Sequence, residues 1–124
     1  MFNNFDSIAD RVTSSSQKHY NLSYTTTFKK WLQSLAKKDQ RLYKIVVKRL
    51  RAVEDGNFGR IKSVGDKVSE IRIFEGPGVR LYFTRVGNQV IFFLAGGVKD
   101  SQPADIEKAK KLAAQIHTKE TEKL

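Results

Sequence analysis

Residues 67–99, KVSEIRIFEGPGVRLYFTRVGNQVIFFLAGGVK, decide the fold. β-branched and aromatic residues fill three runs of this stretch and glycines lie between them, so the sequence predicts three consecutive strands joined by two turns. The turns are predicted at Gly76-Pro77-Gly78 and at Gly87-Asn88. The third run, VIFFLA at 90–95, is continuously apolar, which indicates a central strand covered on both faces.

The first two of these strands predict a shared polar face. Side chains alternate between the faces of a strand, and a three-residue loop at the first turn would pair Glu75 with Val79 and hence Arg72 with Tyr82. In that register Arg72, Arg80 and Tyr82 lie on one face of the sheet. An unpaired cation inside a strand is costly unless it faces water or an anion, so this face is the first candidate site.

The flanking sequence predicts further elements. A strand is predicted over residues 20–26, and apolar spacing of three and four residues predicts two helices, over 28–35 and 39–54. A short strand follows at 60–64, and a serine cap with a proline in the first turn opens a last helix over 101–116. The predicted fold class is α+β: an N-terminal strand and an αα-hairpin packed on an antiparallel sheet, with a C-terminal helix.

The chain of 124 residues is long enough for one hydrophobic core. We predict one domain over residues 19–117. Residues 1–18 form an N-terminal extension, either a short helix or disordered, and residues 118–124 form a polar C-terminal tail.

Composition excludes several classes of function. The sequence contains no cysteine, so disulfides and thiolate metal sites are excluded. Carboxylates and histidines show no metal-ligand spacing and no glycine-rich phosphate loop is present, so no metal or small-molecule cofactor is predicted. No apolar run reaches the ~20 residues that span a bilayer, and the first residues lack the pattern of a secretory signal. We expect a soluble cytoplasmic protein with no membrane partner.

The formal net charge of +10 is concentrated in the centre of the chain. Residues 29–72 carry thirteen bases and five acids, whereas residues 73–124 carry eight bases and six acids. Such an excess favours a polyanionic partner such as nucleic acid, although lysines on a helix often serve only as a solvated face. The candidate phosphate contacts are Lys44, Lys48, Arg51, Arg60 and Lys62.

Several segments, taken in order, resemble the RelE/ParE superfamily of type II toxin–antitoxin toxins, and more closely its HigB-like addiction module killer proteins. They are FKKWLQSL at 28–35, RL at 49–50, DGNFGRIKSVG at 55–65, SEIRIFEGPGVRLYF at 69–83 and LAGGVKDSQPADIEKAK at 94–110. The resemblance implies a RelE-like fold and a metal-independent endoribonuclease that cuts translated mRNA on the ribosome. It also implies a cognate HigA-like antitoxin of the helix-turn-helix class.

The same resemblance implies a set of catalytic residues. Arg80, in GVRLYF, matches the strand arginine that contacts the scissile phosphate in endonuclease members of the superfamily, and Arg72 matches a basic position on the preceding strand. Lys99 lies where the family has a basic residue after the last strand. We expect the two arginines to stabilise the phosphate, Lys99 to assist by charge or proton transfer, and Tyr82 to orient or stack a base. The tyrosine that some RelE members carry near the C-terminus has no counterpart between Lys99 and His117.

The sequence also allows other interpretations of these residues. Arg72 could pair with Glu70 or Glu75, and Tyr82 could be a packing residue of the sheet. His117 is expected to be a surface residue near a helix end. ParE-like members of the same fold inhibit DNA gyrase without cutting RNA, and an inactive binding protein would also share the fold.

Overall fold

A computed structural model describes residues 19–122 of the chain, with side chains described as far as Glu120. The predicted extension at residues 1–18 lies outside the described residues. The strands are β1 (Asn21–Tyr24), β2 (Arg60–Gly65), β3 (Val68–Ile73), β4 (Val79–Val86) and β5 (Val90–Val98). The helices are α1 (Thr26–Lys38), α2 (Gln40–Glu54) and α3 (Gln102–Glu122), with a short 3-10 turn at Lys99–Ser101.

The described strands form one mixed sheet in the order β1-β5-β4-β3-β2. The predicted α+β class is confirmed, as are the αα-hairpin and the C-terminal helix. The N-terminal strand differs from the expectation of an antiparallel sheet, because β1 pairs in parallel with β5. Strand β5 is central, as its apolar run predicts, and continues three residues further, to Val98.

Two consecutive glycines near the end of β5 let helices pack closely on both faces of the sheet. A Cβ atom on Gly96 would lie 2.5 Å from the indole ring of Trp31, which α1 places on that face. A Cβ atom on Gly97 would clash with the carboxylate of Asp105 from α3, on the opposite face. Each glycine therefore fits a site in which a side chain has no room.

The sheet divides the core into two layers. Helices α1 and α2 cover one face, where Phe28 and Val46 pack against Leu81 and Phe93. Helix α3 covers part of the other face through Ala109 and Ala113. It continues to Glu122, beyond residue 117, where the predicted domain ended. Since α3 covers only part of its face, one end of β3 and β4 remains open there.

The register of β3 and β4 differs from the predicted register by two residues. Arg72 pairs with Arg80 rather than with Tyr82, and Ile73 pairs with Val79. The connection therefore spans residues 74–78 instead of 76–78, and a turn bond from the Gly78 amide to the Glu75 carbonyl (3.1 Å) lies within it. A shift of two residues preserves the faces, so Arg72, Arg80 and Tyr82 share one face as predicted.

Candidate functional site

A pocket of about 240 Å³ lies at the open end of β3 and β4, and we call it the arginine pocket. It brings together three of the predicted catalytic residues, Arg72, Arg80 and Lys99. The loop at residues 74–78 forms one wall. Lys99 reaches the pocket because β5 extends past its apolar run and the chain then turns in the 3-10 segment.

Arg80 is the least exposed of these cations. Its residue surface is only 9% exposed, and its Nε atom is buried without a hydrogen-bond partner among the described residues. The nearest carboxylate oxygen, Oε2 of Glu70, lies 3.8 Å from that Nε. A Cβ atom on Gly78 would lie 3.5 Å from Nη1 of Arg80, so the guanidinium reaches the wall of the arginine pocket. An arginine with a buried, unpaired N–H is costly, and an anion held by the edge of the guanidinium that lines the pocket would offset that cost.

Glu70 is the fixed anion behind the arginine pocket. Its side chain is fully buried, and it accepts hydrogen bonds from Arg72 Nε and Gln102 Nε2, each at 2.8 Å. Burial alone would raise the pKa of Glu70, but these hydrogen bonds and the Arg72 charge outweigh it and hold the pKa below its ordinary value. Glu70 is therefore ionised at neutral pH, holds Arg72 through a hydrogen bond and lies close to Arg80 without bonding it.

The pairing of Arg72 with Glu70 confirms one alternative drawn from the sequence, and it does not remove Arg72 from the arginine pocket. Gln102 was not identified from the sequence. Its contact with Glu70 spans 32 residues and arises only when α3 docks on the sheet, so no local pattern marks it.

Tyr82, which we expected to stack or orient a base, does not lie where a base could reach it. Its side chain is fully buried, and its hydroxyl has no hydrogen-bond partner within the described part of the chain. Burial raises the pKa of Tyr82, and the negative charge of Glu70 raises it further. Tyr82 packs with Val68, Leu94 and α3, so it supports the sheet behind the site.

A second cavity, the basic groove, lies between α2 and the ends of β2 and β3 and has a volume of about 660 Å³. Two of the predicted phosphate contacts, Lys48 and Arg60, line it, together with Arg49. The basic groove meets the arginine pocket at Arg72 and Phe74, which line both. The remaining predicted contacts, Lys44, Arg51 and Lys62, are exposed on α2 and β2 and line neither of these cavities.

The histidines lie elsewhere. The Nε2 atom of His117 lies 2.9 Å from Oγ1 of Thr84, so this residue ties α3 to β4 rather than only facing solvent at a helix end. The Nδ1 atom of His19 lies 3.4 Å from Oδ1 of Asp55.

Within residues 19–122, no group of three or more histidine, cysteine, aspartate or glutamate side chains is placed so that it could hold a metal ion. None of the helices in that range is long and apolar enough to cross a membrane.

Comparison with known proteins gives one informative relative. No family model matches the sequence, and no solved structure matches it. An uncharacterized protein of Haemophilus influenzae is 40% identical over 92 residues, which cover 74% of this chain and 91% of that protein. The chain belongs to the family of that protein. The name of this relative assigns no activity, so the function of this family member must be argued from its site.

In this member of the family, the arginine pocket has the charge and the donors that an anion would need. Three cations face it and the single buried carboxylate of Glu70 opposes them, so the pocket carries a net positive charge. Arginine presents a planar set of donors that matches the geometry of phosphate, and Glu70 fixes the orientation of the Arg72 guanidinium. A phosphate group is therefore the ligand that best fits this chemistry.

Proposed function

We propose that the protein is the toxin of a type II toxin–antitoxin module, a RelE/ParE superfamily member of the HigB-like branch. In this proposal it is a metal-independent endoribonuclease that cuts translated mRNA on the ribosome and so inhibits translation. The observation that carries the proposal is Arg80, a nearly buried cation whose Nε atom has no hydrogen-bond partner among the described residues and which borders a pocket with Arg72 and Lys99. The resemblance of the motifs around these residues supports the same reading.

The proposed chemistry uses the RNA as its own nucleophile. The 2′-hydroxyl oxygen gives up its proton to solvent and attacks the adjacent phosphorus, the bond to the 5′-oxygen breaks, and the 5′-oxygen takes up a proton, so that a cyclic phosphate and a 5′-hydroxyl remain. Arg80 and Arg72 stabilise the extra negative charge on the phosphorane oxygens. Glu70 acts as a positioning residue, because it holds Arg72 through a hydrogen bond without reaching the arginine pocket itself.

The site offers fewer groups for proton transfer than for stabilising negative charge. Lys99 is the exposed cation of the arginine pocket and could supply charge or a proton at the leaving oxygen. None of the described residues that line the arginine pocket carries a carboxylate or an imidazole, so the lining offers no conventional general base. The site therefore depends on the ribosome to align the RNA for in-line attack, which is a positioning effect.

The proposed partner is a HigA-like helix-turn-helix antitoxin. Its binding would neutralise the toxin by covering the positively charged cavities or by displacing an element next to them. Co-expression with the product of the adjacent gene tests this, and a product that neither co-purifies nor restores growth would refute it.

The activity is tested by inducible expression of the wild type, Arg80→Ala and Arg80→Lys, followed by mapping of transcript 5′ ends. We expect wild type to arrest growth and create new 5′ ends within translated regions, and both variants to lose most of these ends because lysine lacks the planar fork. Lys111→Ala is the charge-matched control, since this exposed lysine lies on α3 outside both cavities. Growth arrest without new 5′ ends, accompanied by DNA-damage signalling, would replace the ribonuclease with a gyrase inhibitor.

A further inference from the structure

Phe74 is an exposed aromatic side chain at the junction of the two cavities. It follows β3 directly, is 64% exposed and lines both the arginine pocket and the basic groove. A single exposed apolar side chain is common on protein surfaces, but this ring lines two cavities that also carry cations. The position of Phe74 therefore points to a ligand with a flat apolar part.

The basic groove pairs this ring with positive charge. The Cζ atom of Arg60 lies 5.3 Å from the centroid of the Phe74 ring, within the range of a cation–π contact. Both side chains are exposed, so a flat group can stack on the ring while the guanidinium contacts a neighbouring anion. Lys48 adds a second exposed cation to the rim.

Arg49 is held in place as part of the groove wall. Its Nη1 atom donates to the carbonyl oxygen of Asn57 at 3.2 Å and to the side-chain oxygen of Asn57 at 3.4 Å. Gly59 leaves the space for this guanidinium, because a Cβ atom there would lie 2.8 Å from Cζ of Arg49. Glu75 is the one acid among the lining residues, against four cations.

The apolar part of the basic groove lies between these cations. Ile45 and Ala52 of α2 and Ile73 of β3 line it beside Phe74. Proteins that bind single-stranded nucleic acid combine a positive groove that follows the phosphates with aromatic side chains on which bases stack. An acidic peptide would satisfy the cations, but it would not need an exposed ring next to the arginine pocket.

We propose that the basic groove binds the single-stranded RNA segment adjoining the phosphate in the arginine pocket, with one base stacked on Phe74. This inference rests on the proposed function, because it takes the arginine pocket to be the phosphate site. Arg60 and Lys48 contact the phosphates of this segment, and Phe74 takes the stacking role that buried Tyr82 cannot perform.

The test measures binding of the purified full-length chain to a short, fluorescently labelled 2′-O-methyl RNA by anisotropy. This probe cannot be cleaved because it lacks the free 2′-hydroxyl. We expect Phe74→Ala to weaken binding about five-fold or more and Phe74→Tyr to retain it. Ile61→Ala, which truncates another exposed apolar side chain outside the groove lining, should leave binding unchanged.

The contribution of charge to RNA binding is measured from the salt dependence of the affinity. Lys48→Ala should reduce the slope of log affinity against log salt by about 0.7, the value for one phosphate contact on a single strand. Lys111→Ala should leave the slope at the wild-type value, because it lies on the helix that covers the other face. Thermal unfolding of each variant checks that the fold is intact, and the exposure of Phe74 predicts that it is.

Equal affinity of Phe74→Ala and wild type, or preference for an acidic peptide over the RNA probe, would overturn the inference. Phe74-dependent binding of the probe would support it even if no transcripts were cut in cells, and only the ribonuclease proposal would then fall. If transcripts are cut in cells but the affinity for the probe does not depend on Phe74, the ribonuclease proposal stands. The basic groove is then not part of the RNA-binding surface.

Discussion

Replacing Glu70 by glutamine tests whether this buried carboxylate holds the arginine pocket together. The substitution keeps the shape and one acceptor oxygen but removes the charge next to Arg72 and Arg80. Glu70 is fully buried, with Arg72 Nε at 2.8 Å and Arg80 Nε at 3.8 Å. Removing one partner of a buried ion pair leaves the other charge uncompensated, which costs about 3–5 kcal/mol.

We expect Glu70→Gln to lower the free energy of unfolding at pH 7 by about 3 kcal/mol, the lower end of that range, because glutamine can still accept one hydrogen bond. Urea unfolding followed by the fluorescence of Trp31 measures this. With a denaturant slope of about 1.5–2 kcal/mol per molar, the urea midpoint should fall by roughly 1.5–2 M. Glu107→Gln, at an exposed position on α3, is the matched control and should change the midpoint little.

The pH dependence gives a second measurement with a definite sign. The folded-state pKa of Glu70 lies below its ordinary value of 4.5, so its contribution to stability is present above that pH and lost as pH falls through the folded-state pKa. The difference between wild type and Glu70→Gln should therefore be full at pH 7 and shrink in acid. A difference under about 0.5 kcal/mol at pH 7, or one that does not change with pH, would refute the assigned role.

Substitutions at Gly96 and Tyr82 test the packing around the site. Gly96→Ala should lower the free energy of unfolding by about 1–3 kcal/mol, because the added Cβ meets the ring of Trp31. Adding Trp31→Leu should relieve the clash, so strictly additive losses in urea unfolding would contradict this explanation. Tyr82→Phe should change the free energy of unfolding by less than about 1 kcal/mol, because the lost hydroxyl is buried beside the Glu70 carboxylate without a well-formed hydrogen bond. A loss above about 1 kcal/mol on removing that hydroxyl would show that it has a hydrogen-bond partner in solution.

The sequence predicts the strands of the meander well, because each is bounded by glycines and alternates with period two. The predicted strand over residues 79–86 coincides with β4. The shared face of Arg72 and Arg80 follows from the alternation of side chains along each strand alone. The register between β3 and β4 could not be predicted from this alternation. A slip of two residues keeps every side chain on its face, so the hydrophobic pattern does not distinguish a three-residue loop from a five-residue loop.

The chemistry behind the arginine pocket depends on contacts between distant parts of the chain. Glu70 is buried only because α3 docks over its strand and brings Gln102 to it, and the same docking buries Tyr82. From the sequence alone, Glu70 is one of two acids that could pair with Arg72. In a strand, Phe74 would share the face of Arg72 by alternation, and its exposure became evident only when the structure placed it in the loop.

The pairing of β1 with β5 has a consequence for how the chain reaches this structure. Asn21 lies beside Val90, and the Thr25 hydroxyl donates to the Leu94 carbonyl across 69 positions of sequence. Strands β2 to β5 are joined by short turns and can assemble from local contacts, whereas β1 must close a long loop before it gains a partner. Of the described strands, β1 is synthesised first and its partner β5 last, so this pairing cannot form until β5 has left the ribosome.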